Sequence, residues 1–266
     1  MRRLIPLLLC FLVAGCTSGS TGAPAPVTLH IAGSSSLQPA LEALIAAYHA
    51  QHPHVLAEVR GGGTAVGVQL LQDGRSDLAA VSWQAPDQSL PDTVQAVPVA
   101  RDGIAIIVHP SNTLANLTFL QLRAIYRGEI LHWEAVGGSG GVPLVISREE
   151  GSGTRAAFEA AVMQAERVTL NALVLPSGRA VADYVASHRN AIGYVSTSAL
   201  SNEVRVVALE EEMPTPATLR AGSYPLGRVL YLYAAHPAPA EVKAFLNFAI
   251  SPAGQTAVAR HLVPVR

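Results

Sequence analysis

The run Arg148-Glu-Glu-Gly-Ser-Gly-Thr-Arg155 sets a guanidinium, two hydroxyls and several glycine amides where an apolar-periodic helix begins. A helix start carries unpaired N–H groups and a partial positive charge, so an anion docked there gains hydrogen bonds and favourable dipole alignment. Ser152 is the expected cap, Gly151 and Gly153 allow close backbone approach, and Arg148 adds a fixed charge with bidentate geometry. The chemistry this suits is capture of a tetrahedral oxyanion. Two more turns share the design: Gly33-Ser-Ser-Ser36 and Gly61-Gly-Gly-Thr64 each follow an expected strand and precede an expected helix. A charge-assisted hydrogen bond contributes roughly 1.5–3 kcal/mol net, so only a dense shell of donors offsets stripping water from a dianion. One such turn alone is an ordinary cap. Three of them, with Arg148, point to one site.

Other chemical signals are weaker. Gly137-Gly-Ser-Gly-Gly141 matches the spacing of a nucleophile elbow, but it follows Trp133-Glu-Ala-Val136 and runs into Val142-Pro143, which is a loop context. His49, His52 and His54 straddle a helix end and a turn without a thiolate or carboxylate companion, so they read as a solvated connection and no metal is expected. Asp77, just before an apolar strand, reads as a turn and cap residue or a partner for an arginine, and Arg101 with Asp102 reads as a structural ion pair. Glu149 and Glu150 should point away from an anion. Trp133 and the tyrosines at 224, 231 and 233 read as packing, not as a stacking platform. No His lies in the three turns, so no nucleophile has a base beside it, and an enzyme is not expected.

The elements that must carry these turns alternate. Strands are expected at 27–32, 55–60 and 78–82, with helices at 39–50 and 64–72 between them. Two extended segments around Arg101-Asp-Gly103 cover 94–108 and read as a crossover between lobes. Helices at 118–126, 154–164 and 178–187 and strands at 144–147 and 192–195 follow, then a strand at 226–234 and closing helices at 239–251 and 253–261. Alternation of this kind implies an α/β fold with a parallel sheet wrapped on both faces, and two lobes of it leave a cleft.

The chain has 266 residues, of which 50% are hydrophobic and 14% charged, enough for one large domain or two lobes. A net charge of −1 without a basic stripe excludes a nucleic-acid surface. Met1-Arg-Arg3 before an apolar run is a secretory signal too short to span a bilayer, and Leu12-Val-Ala-Gly-Cys16 resembles a bacterial lipobox with Cys16 as lipidation site. Residues 17–26, rich in Gly, Ser, Thr and Pro, read as a flexible linker. The expectation is export, with a lipid anchor on the cell membrane or outer membrane.

The stretch Ser147-Arg-Glu-Glu-Gly-Ser-Gly-Thr-Arg-Ala-Ala-Phe158 resembles the phosphate-binding proteins of bacterial phosphate ABC transporters, the PstS type. So do Ile31-Ala-Gly-Ser-Ser-Ser36, Gly61-Gly-Gly-Thr64, Ser76-Asp-Leu-Ala-Ala-Val-Ser82, Ala100-Arg-Asp-Gly-Ile-Ala-Ile-Ile-Val-His-Pro110 and Ile125-Tyr-Arg-Gly-Glu-Ile130 with Trp133. The resemblance implies a two-lobe periplasmic-binding-protein fold of type II, with lobe 1 at 27–104 and 222–266 and lobe 2 at 105–221. It implies inorganic phosphate as ligand, permease subunits as partners, a monomer, and no cofactor. By position, Ser35, Ser36, Thr64, Ser82, Arg148, Ser152, Gly153 and Thr154 would form the phosphate shell. Some members carry an Asp where Ser82 stands here. Serine accepts a proton without repelling sulfate, so sulfate, molybdate or tungstate stay open as ligands, as does a sensing role.

Overall fold

The computed structural model describes residues 25–84 and 89–266. The expected signal segment, Cys16 and nearly all of the expected linker lie outside them. In chain order the elements are β1 (Val27–Gly33), α1 (Gln38–His49), β2 (Val55–Gly62), α2 (Gly63–Gln72), β3 (Leu78–Val81) and β4 (Val94–Val108). Then come β5 (Asn116–Leu117), α3 (Phe119–Arg127), β6 (Leu144–Arg148), α4 (Gly153–Phe158), β7 (Leu173–Leu175), α5 (Gly178–Ser187) and β8 (Ala191–Ser196). The chain ends with β9 (Arg205–Leu209), α6 (Pro216–Ala221), β10 (Gly227–Ala235), α7 (Ala240–Ala249), α8 (Pro252–Val258) and β11 (Val263–Pro264).

The main strand order is β2-β1-β3-β10-β4-β8-β6-β7. β1 runs parallel to β2 and β3, and β6 parallel to β7 and β8. The expectation of a wholly parallel sheet is corrected at the centre, where β10 is antiparallel to β3 and β4, and β4 is antiparallel to β8. The reason is the crossover itself. The expected two segments at 94–108 are one 15-residue strand whose partner changes midway, from β10 up to Gly103 to β8 from Ile104 on. β10 returns at the same level, with Gly227 opposite Gly103 and the Ile104 N–H donating to the Leu226 carbonyl at 3.0 Å.

Two large cores follow from this division. One gathers Leu29, Leu41, Leu78, Leu230 and Phe245 under α1, α7 and α8; the other gathers Ile106, Leu122, Trp133, Phe158 and Tyr194, with Tyr224 and Leu226 joining it. Period-two alternation gives each sheet a second face: Ile104 and Ile106 enter one core, while Ala105 and Ile107 pack under α5. A fully buried side chain such as Phe245 contributes about 1.5–3 kcal/mol of transfer free energy. Local signals set the helix ends. Thr118 and Gln121 form a reciprocal capping box at the start of α3, and Gly128 ends it in the left-handed conformation at φ +79°. Among the described residues no helix is long and apolar enough to cross a membrane.

Candidate functional site

The three small-residue turns meet where the two sheets join. In the first, Gly33 has φ +132°, and a Cβ there would collide with the Ala80 carbonyl, so only glycine lets β1 turn beside β3 into Ser34, Ser35 and Ser36. The second is tighter than expected: β2 runs through Gly62 directly into α2, and Thr64 lies in the first helical turn. In the third, Ser152 caps α4 and accepts from the Arg155 N–H at 3.3 Å, which commits its hydroxyl to the helix. α4 itself is shorter than expected, because Glu159–Met163 continue it as a π turn.

These turns touch across the cleft. Ser36 Oγ lies 3.0 Å from Thr154 Oγ1, and Arg148 Nη2 donates to Ser35 Oγ at 3.5 Å. The Ala65 N–H donates to the Gly151 carbonyl at 3.1 Å. Thr64 Oγ1 accepts from the Ser82 N–H at 3.1 Å and pairs with Ser82 Oγ at 3.3 Å. Gly153 lies flush against this pair, since a Cβ there would run into Thr64 Oγ1 and Ser82 Oγ. Ser36, Ser82, Arg148, Ser152 and Thr154 are all buried. All eight residues singled out by sequence thus converge on one place.

Arg148 is held from several sides. Its N–H donates to the Tyr194 hydroxyl at 3.3 Å, which also pairs with Ser147 Oγ at 2.9 Å. Burial pushes the Tyr194 hydroxyl up to about 12, so it stays protonated at neutral pH. Arg155 Nη1 donates to the Arg148 carbonyl at 3.1 Å, and the hydrogen bond to Glu159 is the main cause that raises the Arg155 guanidinium above its ordinary value. The expectation that Glu149 points away is corrected. Both its oxygens accept from Arg148, Nε and Nη2 each at 2.8 Å, because a guanidinium side chain only 3% exposed needs a countercharge. Glu150 is exposed, as expected.

The sequence pattern does not single out Arg228, which the structure places at the centre. Its Nη2 reaches Ser36 Oγ at 3.1 Å, Thr154 Oγ1 at 3.0 Å and Asp102 Oδ2 at 2.7 Å, while Nε reaches Asp102 Oδ2 at 3.0 Å and Nη1 donates to the Ser82 carbonyl at 3.2 Å. Asp102 therefore pairs with Arg228, not with Arg101. Burial lowers the Arg228 guanidinium from its ordinary value, and Asp102 works against that shift. Arg228 is the one charge in the otherwise apolar β10, but Asp102 has Arg101 beside it in β4, so sequence alone does not pair Asp102 with Arg228.

Cavities of about 770 Å³ and about 320 Å³ flank this cluster. The larger touches it only along Thr64, Ser152 and Gly153, and much of its remaining wall is apolar, including Trp83 and Tyr233. The cluster of donors thus lies between the two cavities and not inside the larger one. The remaining candidates have neighbours of their own. The Asp77 carboxylate accepts from the His30 N–H at 2.7 Å, His52 stacks on Tyr48, and Ser139 bonds to the loop at Ser111. Among the described residues no group of side chains is arranged to hold a metal.

A family model for the PBP superfamily domain matches residues 18–253. The structure is similar to that of a phosphate ABC transporter substrate-binding protein with bound phosphate from Clostridium perfringens, at 32% identity and TM-score 0.86, covering 90% of this chain and 100% of that one. It is also similar to an ABC-type phosphate transport receptor from Vibrio cholerae, at 29% identity and TM-score 0.74, covering 88% and 99%. In sequence it is 26% identical over 228 residues to the phosphate-binding protein PstS of Bacillus subtilis strain 168, covering 83% of this chain and 74% of that relative.

Proposed function

The chain belongs to the PBP superfamily, among the PstS-type phosphate-binding proteins, and from that premise we propose that it captures inorganic phosphate between its lobes and delivers it to an ABC permease. The observation that carries the reading is the contact of the three turns across the cleft, with Ser36 Oγ 3.0 Å from Thr154 Oγ1 and two buried guanidinium groups beside them. A phosphate bridging Ser35, Ser36 and Thr64 on one side to Arg148, Gly153 and Thr154 on the other holds the lobes together. Ser152 serves it through the helix start that its hydroxyl caps. Ser82 supports Thr64 and supplies a hydroxyl able to accept the proton of hydrogen phosphate.

In this reading lobe 1 comprises residues 27–104 and 222–266 and lobe 2 residues 105–221, and closure is a hinge at the two crossings near Gly103 and Gly227. Cys16 anchors the chain to a membrane through lipid, residues 17–26 tether it, and the protein works outside the cytoplasm as a monomer without a cofactor. It performs no catalysis. Calorimetric titration of Arg148→Ala with phosphate tests the site: affinity falls at least tenfold, and unchanged binding would move the ligand elsewhere. Ser82 supports one second reading, a preference for sulfate, molybdate or tungstate, because a serine brings no charge to repel a fully deprotonated anion. Competition among these anions separates the two.

A further inference from the structure

We propose that Arg228 is a positioning residue that fixes the hydroxyls of Ser36 and Thr154 as donors toward the bound anion, an inference that rests on the phosphate reading above. A guanidinium has donors only, and one of the two Nη2 hydrogens goes to Asp102 Oδ2, so the Ser36 and Thr154 oxygens share the other as acceptors and neither hydroxyl hydrogen can point toward Arg228. Two hydrogens remain on this pair. With the oxygens 3.0 Å apart, one hydrogen at most lies between them, and the other is aimed away from Arg228. An oxyanion entering beside them takes one hydrogen from each hydroxyl while both oxygens share the Nη2 hydrogen that Asp102 leaves free. Without Arg228 each hydroxyl is free to rotate and to present a lone pair instead of a hydrogen.

The placement of Arg228 makes this effect span both lobes. It stands opposite Asp102 in the pairing of β10 with β4, one residue from the crossing at Gly103 and Gly227. Asp102 Oδ1 is taken by the N–H of Thr197 at 3.0 Å and its hydroxyl at 2.7 Å, so the carboxylate cannot turn from the guanidinium without breaking contacts to the second lobe. One side chain thereby orients Ser36 of the first turn and Thr154 of the third. The Ser82 carbonyl is also occupied by Arg228. Of the shell hydroxyls, the Thr64 and Ser82 pair has no guanidinium bonded to its oxygens, so acceptor capacity for the ligand's own O–H stays on that side. The charged groups bonded into the shell are Arg148 with Glu149 and Arg228 with Asp102; Arg155 with Glu159 and the exposed Glu150 lie beyond it, along α4, its π continuation and the turn before it, while Glu42 and Arg179, the latter paired with Asp183, line the smaller cavity beside Ser35 and Ser36.

The test is a double-mutant cycle on phosphate affinity in the full chain, with Arg228→Met, Thr154→Val and the pair, each checked for cooperative unfolding. If Arg228 acts through the hydroxyl, Arg228→Met and Thr154→Val each weaken binding about tenfold and the double variant little more, a non-additivity of close to tenfold. Additive losses overturn the proposal. Arg228→Lys keeps a donor and the charge if Arg228→Met does not fold, and it should recover most of the affinity; a Lys variant as weak as Met or as Arg148→Ala also overturns it. If the unsubstituted chain binds no phosphate, the failure lies with the phosphate reading and not with Arg228.

Discussion

The site holds two buried guanidinium–carboxylate pairs that differ in how they are made. Arg148 and Glu149 are adjacent in sequence, on the end of β6 and the turn after it, and their carboxylate is 26% exposed. Arg228 and Asp102 are 126 residues apart, meet only because β10 pairs with β4, and are 6% and 0% exposed. The first pair belongs to a local motif whose carboxylate reaches solvent, and under the phosphate proposal the ligand competes with it for the guanidinium. The second belongs to the topology, and its integrity reports that both crossings are formed. A shell of this kind thus combines one adjustable charge with one fixed charge.

Breaking the fixed pair should cost most. Asp102→Ala leaves a buried guanidinium without its countercharge and should lower stability by about 3–5 kcal/mol in chemical denaturation. Next comes Gly153→Ala, whose new methyl group occupies the space of Thr64 Oγ1 and Ser82 Oγ and holds the lobes apart. Phosphate affinity should fall about a hundredfold by calorimetry with little change in unfolding midpoint. Thr64→Ala should weaken binding by less than about tenfold, because its backbone amide at the start of α2 survives. The adjustable pair should give the smallest effect. Glu149→Gln removes a carboxylate that competes with the ligand for Arg148, and affinity should rise by about threefold in low salt and less in high salt. A loss of stability as large as that of Asp102→Ala would erase the distinction between the pairs.

The same contrast explains what the sequence made legible. The third turn was readable because Arg148, Ser152, Gly153 and Thr154 lie within seven residues, and the strand–turn–helix order around Ser36 and Thr64 follows from local periodicity. α5 matched its expected span because Ser177 caps it and its apolar face repeats at helical spacing. Arg228 and its pairing with Asp102 were not readable, since strand partners 126 residues apart leave no local trace. Likewise β7, β9 and α6 are short pieces of three to six residues whose existence depends on neighbours, and the antiparallel centre of the sheet follows from the crossings, not from alternation. Glu149 went the other way: electrostatics toward a ligand argued outward, but the burial of Arg148 turned it inward.

The most direct test of the phosphate clamp is isothermal titration of the full chain, stripped of bound anion by partial unfolding, with phosphate, sulfate and molybdate at pH 5 and pH 8. The account predicts tight phosphate binding with sulfate ignored, and loss of that binding in Arg148→Ala. Comparable binding of sulfate or molybdate would keep the clamp and overturn its ligand, and binding of none of the three would contradict the convergence of the turns on an anion.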